Sequence, residues 1–115
     1  MIKYNVGEIY IIYEGTKNRP IVIINNGLGL DIDISIARIT TKSKRNEFDV
    51  VVEKWKEAGL QKPSIVRCSK LNTIKPGKHL IKIGQLHKND MDAVRDAVQK
   101  YISLGFKAIE ENNEN

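Results

Sequence analysis

A small, mainly β domain of the α+β class, a barrel of short strands with one C-terminal helix packed on it, is the fold this sequence predicts. Three observations predict it. Turn-forming clusters recur about every eight to ten residues and cut the chain into roughly six or seven short apolar segments. A helical period occurs once, near the C-terminus. The length, 115 residues, serves one core but not two. Residues 1–107 therefore read as one domain, and 108–115, made largely of Glu and Asn, as a polar tail expected to be disordered, with Asn112 to Asn115 frayed.

The elements follow in order. Gly7 to Tyr13 is rich in β-branched and aromatic residues and predicts a first strand, followed by turn chemistry from Glu14 to Asn18. Pro20 to Asn25 is a continuous apolar run, too short for a helix and suited to a strand buried on both faces. Asn26-Gly27-Leu28-Gly29 offers positions for positive φ and predicts a hairpin turn; it lacks the third glycine and the following helix of a dinucleotide fingerprint. Asp31 to Thr40 alternates apolar and polar residues, as a half-exposed strand does. A basic loop, Thr41 to Asn46, leads to a strand at Phe48 to Glu53 and a single helical turn at Trp55 to Gly59, with Gly59 as its left-handed cap. Ser64 to Ser69 and Leu71 to Ile74 read as two strands with a break near Ser69, and His79 to Ile83 as the last. The helix is expected from about Asp90 to Ser103, with Asn89 as N-cap and Gly105 just past its end. Its apolar face is Met91, Val94, Val98, Tyr101 and Ile102.

Composition narrows the function. One cysteine, Cys68, excludes an internal disulfide framework and a Cys-based zinc site within one chain. Alternating with Val66 in a strand, it reads as a buried, inert thiol. His79 and His87 lack metal spacing and read as surface histidines rather than catalytic ones. No leader pattern opens the chain, and no stretch approaches the ~20 apolar residues of a membrane span, so a cytoplasmic protein without a membrane partner is expected. The net charge of +5 is unevenly placed, with twelve Lys or Arg against four acids between residues 38 and 82. Such a field favours polyanions.

Arg19 stands out. A proline can begin a buried strand because no ladder donor is needed there, and an arginine just before it cannot enter a core unpaired, so Arg19 belongs at the strand's rim. Thr40 ends the third strand in the same way. Lys42-Ser43-Lys44-Arg45, directly after that strand, suits contact with phosphate.

Taken together, the ordered pieces resemble the MazF/PemK family of bacterial toxins. They are Gly7-x-Ile9, then Arg19-Pro20 with Ile21 to Asn25, a strand ending Ile39-Thr40, Gly59-Leu60-x-Lys62-Pro63-Ser64-x-Val66, Leu71-x-Thr73-Ile74, and Ile83-Gly84-x-Leu86 before a helix. The resemblance implies a homodimer of SH3-like barrels, of the type shared with the CcdB toxin. It implies an endoribonuclease that cuts single-stranded RNA at short motifs, with neither metal nor cofactor, and that is held in check by a small acidic antitoxin. It makes Arg19 and Thr40 the catalytic residues and Ser64 a supporting one. Lys17, Asn25, Thr41, Lys42, Lys44 and Arg45 are the expected RNA contacts.

The chemistry of these residues suits the task. A guanidinium donates two hydrogen bonds to phosphate oxygens but is a poor base, and a threonine hydroxyl orients or donates to phosphate. Neither is a general base. The sequence does not identify the base; Glu14, Asp31 and Asp33 have no clear family role, although one of them could serve by proximity. The link from Glu14 to Asn18 is shorter than in many family members, so base preference does not carry over. Two rival readings remain: a non-enzymatic gyrase poison like CcdB, and an inactive RNA- or protein-binding relative.

Overall fold

The computed structural model describes residues 3–29 and 32–113, with the side chains of residues 14, 108 and 110–113 outside that description. The six strands are β1 (Glu8–Glu14), β2 (Lys17–Asn25), β3 (Ile34–Thr40), β4 (Asp49–Val51), β5 (Ile65–Ile74) and β6 (Leu80–Gln85), followed by one helix, α1 (Lys88–Asn113). They form one antiparallel sheet in the order β4-β5-β3-β2-β1-β6. This is the expected mainly β, barrel-like fold with one C-terminal helix, in the form of a curled sheet rather than a closed cylinder. The sheet curls, but its edge strands β4 and β6 share no ladder. The turn after β4 bridges the gap instead. Leu60 N–H bonds to the Trp55 carbonyl at 3.0 Å and Gly59 N–H to the Lys56 carbonyl at 3.2 Å, the paired bonds of a Schellman cap, with Gly59 at φ 93°. Gly59 and Gly84 of β6 lie so close that a Cβ on either would strike the backbone carbonyl of the other segment, Ile83 O or Ala58 O.

The continuous apolar run of β2 is buried on both faces, as its pattern requires. Val22 joins Ile9, Ala37, Ile39, Val66, Cys68, Val94 and Val98 on the helix side. Ile21 and Ile23 join Tyr10, Ile12, Ile34, Ile36 and Leu80 on the other. Gly27–Gly29 forms a short turn with Leu28 at φ 54°, on the path from β2 to its antiparallel partner β3. The two strands expected around Ser69 are one. Ala37 pairs with Leu71 and Arg38 with Arg67, so the intervening residues bulge out of register within β5 without ending it.

The helix departs most from expectation. His87, not Asn89, caps it: His87 Nδ1 accepts the Asn89 N–H at 3.1 Å, while the His87 carbonyl accepts the Met91 N–H at 2.9 Å. Asp90, buried in the first turn, accepts the N–H groups of Glu53 and Lys54 at 3.1 and 3.0 Å and fastens the helix start to the turn after β4. At the other end the helix continues through Gly105 to Asn113, taking up residues 108–113 of the expected tail, while 114 and 115 lie outside the described residues. A helical glycine costs only about 1 kcal/mol, too little to stop a helix that good formers continue. Val94, Ala97 and Val98 are buried, whereas Tyr101, Ile102, Leu104, Phe106 and Ile109 are exposed. Among the described residues no helix is long and apolar enough to cross a membrane.

Candidate active site

Strand register builds the site. Ile21 of β2 pairs with Arg38 of β3, and continuing that register by two residues sets Arg19 across from Thr40, both half-buried. Strand alternation puts Arg19 on the same face as Ile21 and Thr40 on the same face as Arg38. The two predicted residues thus meet where β2 begins and β3 ends. They line a cavity of about 370 Å³ together with Arg38, Lys42, Arg45, Arg67 and Lys70, six basic side chains in all. Among the described residues no acid or histidine is in that lining. A second hollow of about 320 Å³ continues from it, sharing Arg19, Arg38 and Lys70, with an apolar floor of Ile12, Ile21, Ile36 and Ile74.

A buried ion pair holds the basic loop. Arg67 of β5 lies opposite both Arg38 of β3 and Asp49 of β4. Two arginines directly across a ladder repel, and Asp49 offsets this. Asp49 Oδ2 accepts Arg67 Nη1 at 2.5 Å and the Arg45 backbone N–H at 2.7 Å. Arg67 Nη2 donates to the Ser43 carbonyl at 3.4 Å. One buried pair therefore fixes two backbone positions of the loop that carries Lys42 and Arg45. Because Arg67 is spoken for by Asp49, the charges left for a ligand are those of Arg19, Arg38, Lys42, Arg45 and Lys70. At the loop's start, Thr40 Oγ1 accepts the Lys42 N–H at 3.2 Å, which leaves the hydroxyl proton free to donate into the cavity.

The remaining expected site residues are dispersed. Lys17 is exposed at the tip of the β1–β2 hairpin, in register with Glu14 and outside the cavity lining. Lys44 is exposed in the loop, also outside that lining. Thr41 and Ser64 line a separate depression, where Ser64 is buried and donates to the Lys62 carbonyl at 2.8 Å. Asn25 is not brought to the site. It stands at the far end of β2, roughly 20 Å along the strand from Arg19, where its Oδ1 accepts the Gly27 N–H at 2.7 Å. Of the carboxylates considered as base, Asp31 and the Glu14 side chain lie outside the described residues. Asp33 precedes β3, at the end opposite Thr40.

Three cavity residues, Arg38, Arg67 and Lys70, escaped the sequence reading. Arg38 had a signal: two residues before Thr40 in a strand, it had to share Thr40's face. Arg67 and Lys70 had none, because only the β3–β5 register brings them over.

The groups outside the cavity are spent structurally. Burial, with the Asp49 charge second, pushes the Cys68 thiol up to about 12, so it is not a thiolate nucleophile. Burial raises the Glu8 carboxyl, but the hydrogen bonds from Lys82, the Asn5 backbone and Tyr10 outweigh it and leave it lowered. The Lys82 ammonium, 2.6 Å from Glu8, is thereby engaged away from the site. Among the described residues no cluster of three or more His, Cys, Asp or Glu could hold a metal ion.

A sequence comparison with curated proteins finds no match. Solved structures do resemble the fold. An endoribonuclease in complex with its cognate antitoxin, from a mycobacterial species, superposes with a TM-score of 0.72 at 18% identity, covering 86% of this chain and 94% of that one. A MazE–MazF complex from Deinococcus radiodurans gives a TM-score of 0.71 at 12% identity, covering 85% and 93%. The Mycobacterium tuberculosis toxin MazF-mt6 gives 0.68 at 27% identity, covering 84% and 96%. The sequence family described as PemK-like, MazF-like toxins of type II toxin–antitoxin systems matches residues 6–102. That match spans every strand of the sheet, both walls of the cationic cavity and the buried half of the helix, and the chain belongs to this toxin family.

Proposed function

We propose that this toxin is a metal-independent, sequence-specific endoribonuclease of the cytoplasm that cuts single-stranded RNA and so stops translation and growth. The observation that carries this reading is the meeting of Arg19 and Thr40 in a cavity whose described lining holds six basic side chains and no acid. An RNA phosphate entering it receives two guanidinium hydrogen bonds from Arg19 and one from the Thr40 hydroxyl. Attack by the neighbouring 2′-hydroxyl puts charge on the phosphoryl oxygens, where these donors and the surrounding cations stabilise it. The 2′-oxygen gives its proton to water as it bonds phosphorus, and the P–O5′ bond breaks as the 5′-oxygen takes a proton from water, leaving a 2′,3′-cyclic phosphate and a 5′-hydroxyl. The cavity's contribution is charge stabilisation rather than base catalysis, since no described carboxylate or histidine lines it. Reliance on the 2′-hydroxyl makes DNA a non-substrate.

The similar structures, an endoribonuclease and toxin–antitoxin complexes, support this reading and a matching partner. An acidic antitoxin segment laid over the five free cations would exclude RNA. The exposed apolar side chains of the distal helix suit pairing of two copies.

The decisive experiment incubates the protein with a defined RNA in EDTA and maps the ends. Cyclic phosphate and 5′-hydroxyl ends are expected. Intact RNA alongside gyrase-linked DNA breaks would replace this reading with a gyrase poison, and RNA bound but uncut would make the chain an RNA-binding relative.

Salt dependence tests the loop separately. Each phosphate contact to a single strand adds about 0.7 to the slope of log affinity against log salt. Replacing Lys42 and Arg45 together should reduce that slope by about 1.4, whereas Lys44→Ala should hardly move it. A slope unmoved by the double replacement would remove the loop from the RNA path.

A further inference from the structure

A second depression, of about 420 Å³, lies beside the cationic cavity and shares Asn18 and Pro20 with it. Its volume falls within the range of small-ligand sites. Three features distinguish it from its neighbour. Its walls are apolar, with Ile11, Pro20 and Ile83 around a Tyr13 ring that is 48% exposed. Its rim carries two exposed side-chain amides, Asn18 and Gln61, neither of which has a side-chain hydrogen-bond partner among the described residues. Lys62 is the one charged residue in its lining among the described residues.

The relation between the two cavities follows from strand geometry. Arg19 and Pro20 are consecutive in β2, so they face opposite sides of the sheet, and Thr40 and Thr41 are likewise divided between the two linings. The strand ends form a ridge with a phosphate clamp on one side and an apolar, amide-rimmed slot on the other. The slot's floor is rigid. Gly59 and Leu60 belong to the Schellman-capped turn, and Ser64 is tied to the Lys62 carbonyl. It needs no rearrangement to receive a flat, mostly apolar group with polar edges.

We propose that this slot holds one unstacked nucleobase, belonging to the nucleotide beside the phosphate clamped by Arg19 and Thr40. The proposal rests on the ribonuclease reading above. Single-stranded RNA is read by stacking splayed bases on aromatic rings and bonding their edges. Tyr13 is the stacking platform. Asn18 and Gln61, each with a donor and an acceptor, meet the base edge, so they and Tyr13 are specificity-determining residues.

The test compares the wild type, Tyr13→Ala and Gln61→Ala on a library of short single-stranded RNAs randomised around the cut. Both side chains are exposed, so the variants should fold as the wild type does. Tyr13→Ala should lower kcat/KM on the preferred sequence about tenfold, with Tyr13→Phe close to wild type. Gln61→Ala should flatten the base preference at one position only, next to the cleaved bond. Base preference unchanged in both variants, with the RNA still cut, overturns the slot and leaves the ribonuclease standing. Preference unchanged while Tyr13→Ala loses an acidic antitoxin peptide gives the slot to protein and overturns the proposal. A wild type that cuts no RNA overturns the ribonuclease reading and the slot with it.

Discussion

Replacing Arg19 with alanine should lower RNA cleavage by about 10²–10³, the usual cost of removing one preorganised donor from a developing charge, with little change in melting temperature. The structure separates the two effects. Arg19 is half-buried at the rim of the sheet and has no ion pair among the described residues, so folding has little to lose. Cleavage has much to lose, because the other free cations supply field but none stands opposite Thr40. Arg19→Lys should recover only part of the rate, since an ammonium is a point charge and cannot make the two-pronged contact. Thr40→Ala should show a loss of the same order, with Thr40→Ser retaining the hydroxyl and much of the activity. Rates on a defined RNA, measured beside thermal denaturation of each variant, decide the matter. Normal cutting by Arg19→Ala and Thr40→Ala would dismiss both assignments.

The largest effect on stability is expected at Asp49→Ala. Removing one member of a buried ion pair leaves the other charged and unpartnered, typically at a cost of about 3–5 kcal/mol. For a domain of this size that should lower the melting temperature by roughly 10–20 °C. Arg67 would be stranded with 5% of its side chain exposed, and the Arg45 N–H would lose its acceptor as well. The pair itself adds far less than this cost, because both charges were desolvated to make it and Asp49 Oδ1 is buried without a hydrogen-bond partner. Asp49→Leu combined with Arg67→Met should therefore regain most of the lost stability. The double variant keeps the fold but frees the loop, so it should bind RNA more weakly than the wild type at equal stability. A melting temperature within a degree or two of wild type for Asp49→Ala alone would show that the pair contributes nothing to the fold.

Much of this architecture is legible in the residues. The β-branched run Ile21 to Ile24 has no polar side, and it is buried on both faces. Arg19, charged and followed by proline, had to lie toward that strand's rim, and it is half-buried two residues inside the start of β2, which runs on to Lys17. The Gly59 cap was readable because a φ of 93° is open to glycine and strained for other residues. Errors arose where a local signal competed with tertiary contact. Ser69 suggested a break, yet β5 bulges and continues because β3 pairs with it both before the bulge, Arg38 with Arg67, and after it, Ala37 with Leu71. Asn89 is a good N-cap by type, but His87 takes the place because the helix begins earlier, where Asp90 can reach the backbone of Glu53 and Lys54. Asn25 stands six residues from Arg19 in one extended strand, so the rise of the strand alone places it roughly 20 Å away.

For Arg19 itself, the amino-acid sequence determined the residue, its strand and its place at the rim, because burial of charge and the two-residue period of a strand are local constraints. It also determined the excess of base between residues 38 and 82. The tertiary structure decided which of those bases share a cavity, that Thr40 faces Arg19, that Arg67 is neutralised by Asp49, and that the slot behind Pro20 adjoins the clamp. The period of a strand sets the face on which a side chain lies, but not the strand beside it or the register between them. Those are settled by contacts between residues far apart in the chain, and here they turn a scatter of cations into one site.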